Sequence, residues 1–199
     1  MSRNKLLRLF TAVFIFMIFT GNVQAGEATI RIKTAIDKLI EIVTDHDLDP
    51  PEMAEKRACM IRETVSSVFD WQAFSQRALG RHWRDLNQEQ KDEFVNLFGQ
   101  LLERTYMDKT RQYSGQQMDF LDEKIDGKYG IVNAEVVVKN GTNIAVEFRV
   151  MKENEKWFIY DVYVEGVGLV NNYRVQFNNI LIKSGYKELL ARLKAKLDE

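Results

Sequence analysis

One cysteine, two histidines and few serines are spread over 199 residues, with no excess of basic side chains and no apolar run longer than eleven residues. Each scarcity removes a class of protein. A lone Cys59 rules out an internal disulfide, so packing must hold the fold together. Its place in an apolar-periodic helix reads as a small core residue. His46 and His82 are 35 residues apart, and neither shares a metal-ligand spacing with a carboxylate or with Cys59, which argues against zinc. Neither a G-x-S-x-G elbow nor a Ser-x-x-Lys pattern is present, so a serine hydrolase has no visible nucleophile. With 28 basic against 29 acidic residues, nothing favours nucleic acid, whose affinity comes from phosphate neutralisation by clustered Lys and Arg.

What is there begins with an export pattern. Arg3, Lys5 and Arg8 precede an apolar stretch from Leu9 to Phe19, and Val23-Gln24-Ala25 precedes the return of charge at Glu27. This is the three-part layout of a secretory signal peptide, and eleven apolar residues are too few to span a bilayer. Cleavage is expected after Ala25. Gly26 then stands where a lipid-anchored protein would need cysteine. The expected product, residues 26–199, is one exported soluble domain of net charge −4, from 25 basic and 29 acidic residues.

Helical spacing governs the first part of that domain. Ile30, Ala35, Ile36, Leu39, Ile40 and Val43 recur at three- and four-residue steps. Asp49-Pro50-Pro51 reads as the capped first turn of a second helix running to about Val68. Asp70 predicts a cap for WQAFSQRAL, closed by Gly80, and Asn87 a cap for a long helix that carries Phe94, Leu97, Phe98, Leu101, Leu102, Thr105 and Tyr106 and fades near Gln112.

After Gly115 the period shortens to two, through runs near 117–125, 129–139, 143–152 and 156–165, separated by Gly127, Asn140-Gly141 and Glu153-Asn154-Glu155. Four such strands make an antiparallel meander. Helical spacing returns over 169–184 and, past Gly185, over 186–197. The fold class is therefore α+β, with about four antiparallel strands packed against a mostly N-terminal helical layer plus C-terminal helices. Alternate residues Val136, Val138, Val146, Phe148, Val150, Phe158, Tyr160, Val162 and Val164 are expected to share one sheet face. That face is either an ordinary core against the helices or, if the layers stand apart, the wall of an apolar pocket.

Two stretches invite a chemical reading. Asp161, inside an apolar strand between Tyr160 and Val162, could be a general base of raised pKa in a pocket, but alternation puts it on the face opposite Tyr160, Val162 and Val164 and favours a structural role. Gly166-Val167-Gly168 lacks the third glycine of a dinucleotide loop, no P-loop lysine follows, and the sheet is antiparallel, so nucleotide binding fails on residues and topology alike.

Several stretches together resemble the MlaC family, the periplasmic phospholipid-binding component of the Mla lipid-transport system, also called toluene-tolerance auxiliary proteins. They are FDWQAFSQRALGRHWRDLNQEQKDEFVNLFGQLLERTY at 69–106, YSG at 113–115, KWFIYDVYVEGVGLVNNYRVQFNNIL at 156–181 and SGYKELLARLK at 184–194. The resemblance implies a sheet and helical layer enclosing a cavity for phospholipid tails, and a non-enzymatic carrier in the periplasm. It also implies partners: an outer-membrane lipoprotein complex and an inner-membrane ABC transporter, between which lipid is shuttled to keep the outer membrane asymmetric. Where the family often has Ser in E-G-V-S-L, this chain has Gly168.

Physical chemistry explains what such a carrier must supply. Hiding a methylene from water is worth about 0.8 kcal/mol, so exposing two tails of roughly thirty methylenes would cost on the order of 20 kcal/mol. The expected lining of the cavity is the sheet face named above together with Phe120 from the first strand and Phe98, Leu102 and Tyr106 from the long helix. No cofactor and no metal are expected beyond the cargo lipid. Three other readings stay open: a small-molecule enzyme built on Asp161, a binding module without a ligand, and a carrier of another lipid such as a hopanoid precursor.

Overall fold

The structure, a computed structural model, describes residues 26–110, 115–137 and 142–198, with the side chains of 106–110 outside the description. The expected leader, the Tyr106 side chain, Val138 and the Asn140-Gly141 turn lie outside the described residues. Among the described residues, five α-helices and five strands follow one another as α1 (Glu27–Thr44), α2 (Ala54–Ser66), α3 (Trp71–Leu79), α4 (Gln88–Thr110), β1 (Gln117–Asp126), β2 (Tyr129–Val137), β3 (Asn143–Glu153), β4 (Lys156–Val164), β5 (Val167–Gly168) and α5 (Leu169–Asp198).

Side-chain caps fix most helix starts. Asp70 accepts a hydrogen bond from the Ala73 N–H at 2.7 Å, and α3 closes at Gly80, whose φ of 57° suits glycine. Asn87 and Gln90 satisfy each other's backbone N–H groups at 2.9 and 3.0 Å, a capping box in front of α4. Asp49, expected as the cap of α2, instead accepts from Arg57 at 3.1 Å and meets His46 at 3.0 Å; the prolines shape a separate 3-10 turn, Pro51–Met53, before the helix begins. At Gly185 the backbone leaves the helical region (φ 79°, ψ 179°), so α5 is two helical stretches about one break, as the spacing predicts.

The sheet is an antiparallel meander in the order β1-β2-β3-β4-β5. A fifth strand joins the four expected because Glu165 and Gly166, at φ 51° and 76°, turn the chain tightly and pair Val164 with Val167. A bulge also changes the expected faces. Arg149 pairs with Asp161 but Val150 with Ile159, so β4 carries one extra residue there. Before it, Trp157 and Ile159 point into the core, and Phe158 and Tyr160 do not share the face of Val162 and Val164. The expectation that Phe158 and Tyr160 lie on the inner face is corrected by that single inserted residue.

Within the expected α+β class, the helices divide between the sheet and a core of their own. Helix α1 covers the sheet, burying Ala28, Ile32 and Ala35 against Val132, Ala134, Val146, Phe148, Val150, Trp157 and Ile159. Helices α3, α4 and α5 build a second core of their own around Phe74, Phe94, Phe98, Phe177 and Leu189, and α3 and α5 meet the sheet at β4. A third, small core lies between α1 and α2 at Ile42, Leu48 and Ile61. The α2–α3 link holds the first two cores together: the Ile159 N–H donates to Val68 O and the Asp70 N–H to Ile159 O, both at 2.8 Å. Phe69, between those anchor points, packs against both cores.

Candidate functional site

Where the three cores meet, the helices leave a cavity of about 250 Å3. Leu39 of α1, Ile61 and Val65 of α2, Phe69 of the link, Trp71 and Phe74 of α3, Leu102 of α4 and Leu169 of α5 wall it with apolar surface. The aromatic side is tightly ordered. The Phe69 ring centroid is 4.5 Å from that of Trp71 and 5.3 Å from that of Phe74, which lies 5.5 Å from Phe98 behind it. The Trp71 indole N–H donates to Ser66 Oγ at 3.1 Å, fixing the ring at the cavity edge.

Two charged residues complete the wall, and they pair with each other. Arg62 of α2 grips Glu103 of α4 through Nε and Nη2, with distances of 2.8 to 3.0 Å. Glu103 thereby holds the Arg62 guanidinium above the ordinary arginine pKa, first through the hydrogen bonds and then through its charge. The Arg62 side chain is half-exposed, so the pair is worth only about 0–1 kcal/mol. It ties α2 to α4 across the cavity with little energy.

The space is partly open, and its wall is apolar apart from Arg62 and Glu103. Apolar surface that faces such a space gains about 25 cal/mol for each Å2 that an apolar occupant covers. The site therefore suits something apolar.

Of the residues expected to line a pocket, Leu102 does so, and Phe98 stands directly behind the aromatic wall. Phe120, Val136, Val146, Phe148, Val150 and Val162 pack in the sheet core with α1 and are not among the walls of this cavity; Val164 keeps their phase but is exposed. Phe158 lies beneath the Arg31 guanidinium at 4.9 Å, and Tyr160 beneath that of Arg77 at 4.1 Å. The walls of the cavity come from helices and the α2–α3 link. Leu39, Ile61, Val65, Phe69, Trp71, Phe74 and Leu169 were not singled out; the visible signal was their helical periodicity and the aromatic pair flanking Asp70.

The groups with chemical potential are placed elsewhere. Asp161 is buried, and its Oδ1 accepts from the N–H groups of Val162 at 2.8 Å and Val170 at 3.1 Å, the latter in the first turn of α5. Burial raises its pKa, and the two backbone donors offset part of that rise. It caps a helix and is not among the cavity's wall residues. Cys59, expected in the core, is half-buried on α2, with its thiol 3.6 Å from Glu63, whose charge raises its pKa. His82 meets Asn178 Oδ1 at 2.9 Å.

Gly168 is a matter of space. It pairs with Tyr163, and a Cβ added at residue 168 would fall 2.7 Å from that ring, whose centroid is 4.5 Å from the Arg149 guanidinium. Glycine is what this close approach admits.

Comparison with known proteins places the chain in a family. The chain is 22% identical over 183 residues to the intermembrane phospholipid transport system binding protein MlaC of Haemophilus influenzae, covering 89% of this chain and 86% of that protein. Its fold is similar to that of the phospholipid-binding protein from Ralstonia solanacearum, solved in complex with a phospholipid. The two match with a TM-score of 0.76 and 26% identity over 87% of this chain and 98% of that one. The family model described as MlaC protein matches residues 33–195, from inside α1 to the last turns of α5, and the chain belongs to the MlaC family.

Proposed function

We propose that the protein is a phospholipid carrier of the periplasm, taking up one lipid molecule and passing it between membrane-bound complexes without chemical change. The observation that carries this reading is the apolar cavity at the junction of three cores, walled by helices from separate parts of the fold. A cavity inside one core would open only by unfolding it. One between cores opens by moving α2 and the end of α1 away from α3 and α4.

Size requires such movement. The 250 Å3 space is smaller than the roughly 300–1,000 Å3 of pockets that enclose drug-sized ligands, and two acyl tails are larger still. Loading therefore widens the cavity, and the half-exposed Arg62–Glu103 pair opposes that movement only weakly. The Ralstonia relative bound to a phospholipid supports the same cargo class. The expected partners are an outer-membrane lipoprotein complex and an inner-membrane ABC transporter, with the exported chain soluble between them. Among the described residues no helix is long and apolar enough to cross a membrane.

Lipid uptake tests the reading. The purified protein, incubated with vesicles of radiolabelled phosphatidylethanolamine and separated by sedimentation, is expected to retain lipid in the supernatant at up to one molecule per chain. Val65→Trp, which fills the cavity with an indole, should lower that amount severalfold while the protein remains folded. Uptake indistinguishable from that of an unrelated soluble protein would contradict the carrier reading.

A further inference from the structure

The apolar cavity shares Arg62, Trp71 and Glu103 with a second recess of about 580 Å3, so these side chains form the common wall of two spaces. The second recess runs along α4 and mixes charged and amide side chains with Trp71, Trp83 and Val95. Asn96, Gly99 and Gln100 lie near its Glu103 end, faced by Ser66 of α2 and Gln72 of α3. We propose that this end is the seat of the lipid's phosphodiester, held by the Arg62 guanidinium, so that one molecule lies with its tails in the apolar cavity and its head group in the recess. The inference rests on the carrier reading above and adds where the head group goes and what holds it.

The residues suit that anion. A phosphodiester needs donors in a fixed plane, which a guanidinium supplies and an ammonium does not. Glu103 engages Nε and Nη2 and leaves the Nη1 donors outside that contact, so the carboxylate orients Arg62 without using all five of its N–H groups. Gln72, Gln100 and the Ser66 hydroxyl add neutral donors around it. Lys91, the other cation of the recess, is twelve residues before Glu103 on α4, about 18 Å along the axis at 1.5 Å per residue, too far to share one phosphate with Arg62. An amphiphile needs apolar and polar space side by side, and here they adjoin at the arginine.

Gly99 gives an independent handle. A Cβ built at Gly99 meets nothing within 4 Å, so a side chain there can start into the recess without a clash at its root.

The test offers the purified protein vesicles carrying either labelled phosphatidylethanolamine or labelled diacylglycerol with the same tails. Wild type is expected to load the phospholipid in preference. Arg62→Gln should lower the ratio of phospholipid to diacylglycerol uptake by roughly tenfold, the loss of one charge-assisted contact. Arg62→Lys should restore only part of it, and Gly99→Phe should reproduce the selective loss by occupying the recess. Equal uptake of both lipids by wild type, or an equal fall in both for Arg62→Gln and Gly99→Phe, would overturn the phosphate seat and leave the carrier reading standing. Wild type that loads neither lipid would overturn the carrier reading itself.

Discussion

Gly168 shows how one residue without a side chain determines its surroundings. The Tyr163 ring lies against the place a Cβ would take and within 4.5 Å of the Arg149 guanidinium, in the pair that joins β4 to β5. Gly168→Ser is expected to lower stability by about 1–3 kcal/mol through overpacking, because the ring must leave Arg149 to make room. Chemical denaturation of Gly168→Ser, Tyr163→Ser and the double variant checks this. The double variant should be more stable than the sum of the single losses implies, and strict additivity would show that the two residues do not share the space. The glycine pair was legible from sequence as a turn and not as a phosphate loop. The ring that demands the second glycine was not, since a contact of this kind depends on which face Tyr163 takes.

Two strands supply carboxylates to helix starts. Glu123 of β1 accepts from the Thr29 N–H at 2.8 Å and from its hydroxyl at 2.7 Å in the first turn of α1, and a Cβ at Gly26 would overlap that carboxylate. Asp161 of β4 does the same for α5. Because burial raises the Asp161 pKa, the folded state binds its proton more readily than the unfolded chain does. The resulting contribution to stability is fully present below the unfolded carboxyl pKa of about 4 and is lost as pH rises through the higher folded value. Asp161→Asn cannot titrate there. The stability of wild type minus that of Asp161→Asn should therefore be greatest near pH 3.5 and decline towards about pH 7. Thermal unfolding of both proteins across that range measures it, and a difference that grows with pH would refute the assignment. At this scale the sequence was largely readable. Asp70, Asn87 and Gly185 act where local chemistry places them, because caps and breaks need only neighbours. The β4 bulge left no such mark, and it moved Phe158 and Tyr160 off the expected face.

For the molecule as a whole, the deciding feature is that its apolar residues form three cores and not one. Periodicity establishes that Leu39, Ile61, Val65 and Leu102 turn away from water, but not which neighbours they meet, and the cavity exists only where residues from 39 to 169 converge. The sheet face that looked suited to a pocket packs with Ala28, Ile32 and Ala35 of α1, small and β-branched residues that let the helix lie close. What was legible was the ingredient, a surplus of large apolar side chains without a catalytic constellation; the location required the packing. Native mass spectrometry of the protein purified without detergent tests the central claim most directly. The account predicts a species heavier by one phospholipid, released on denaturation and identified in the extract, and much reduced in Val65→Trp. A chain that carries no lipid, or a Val65→Trp protein that carries as much as wild type, would contradict it.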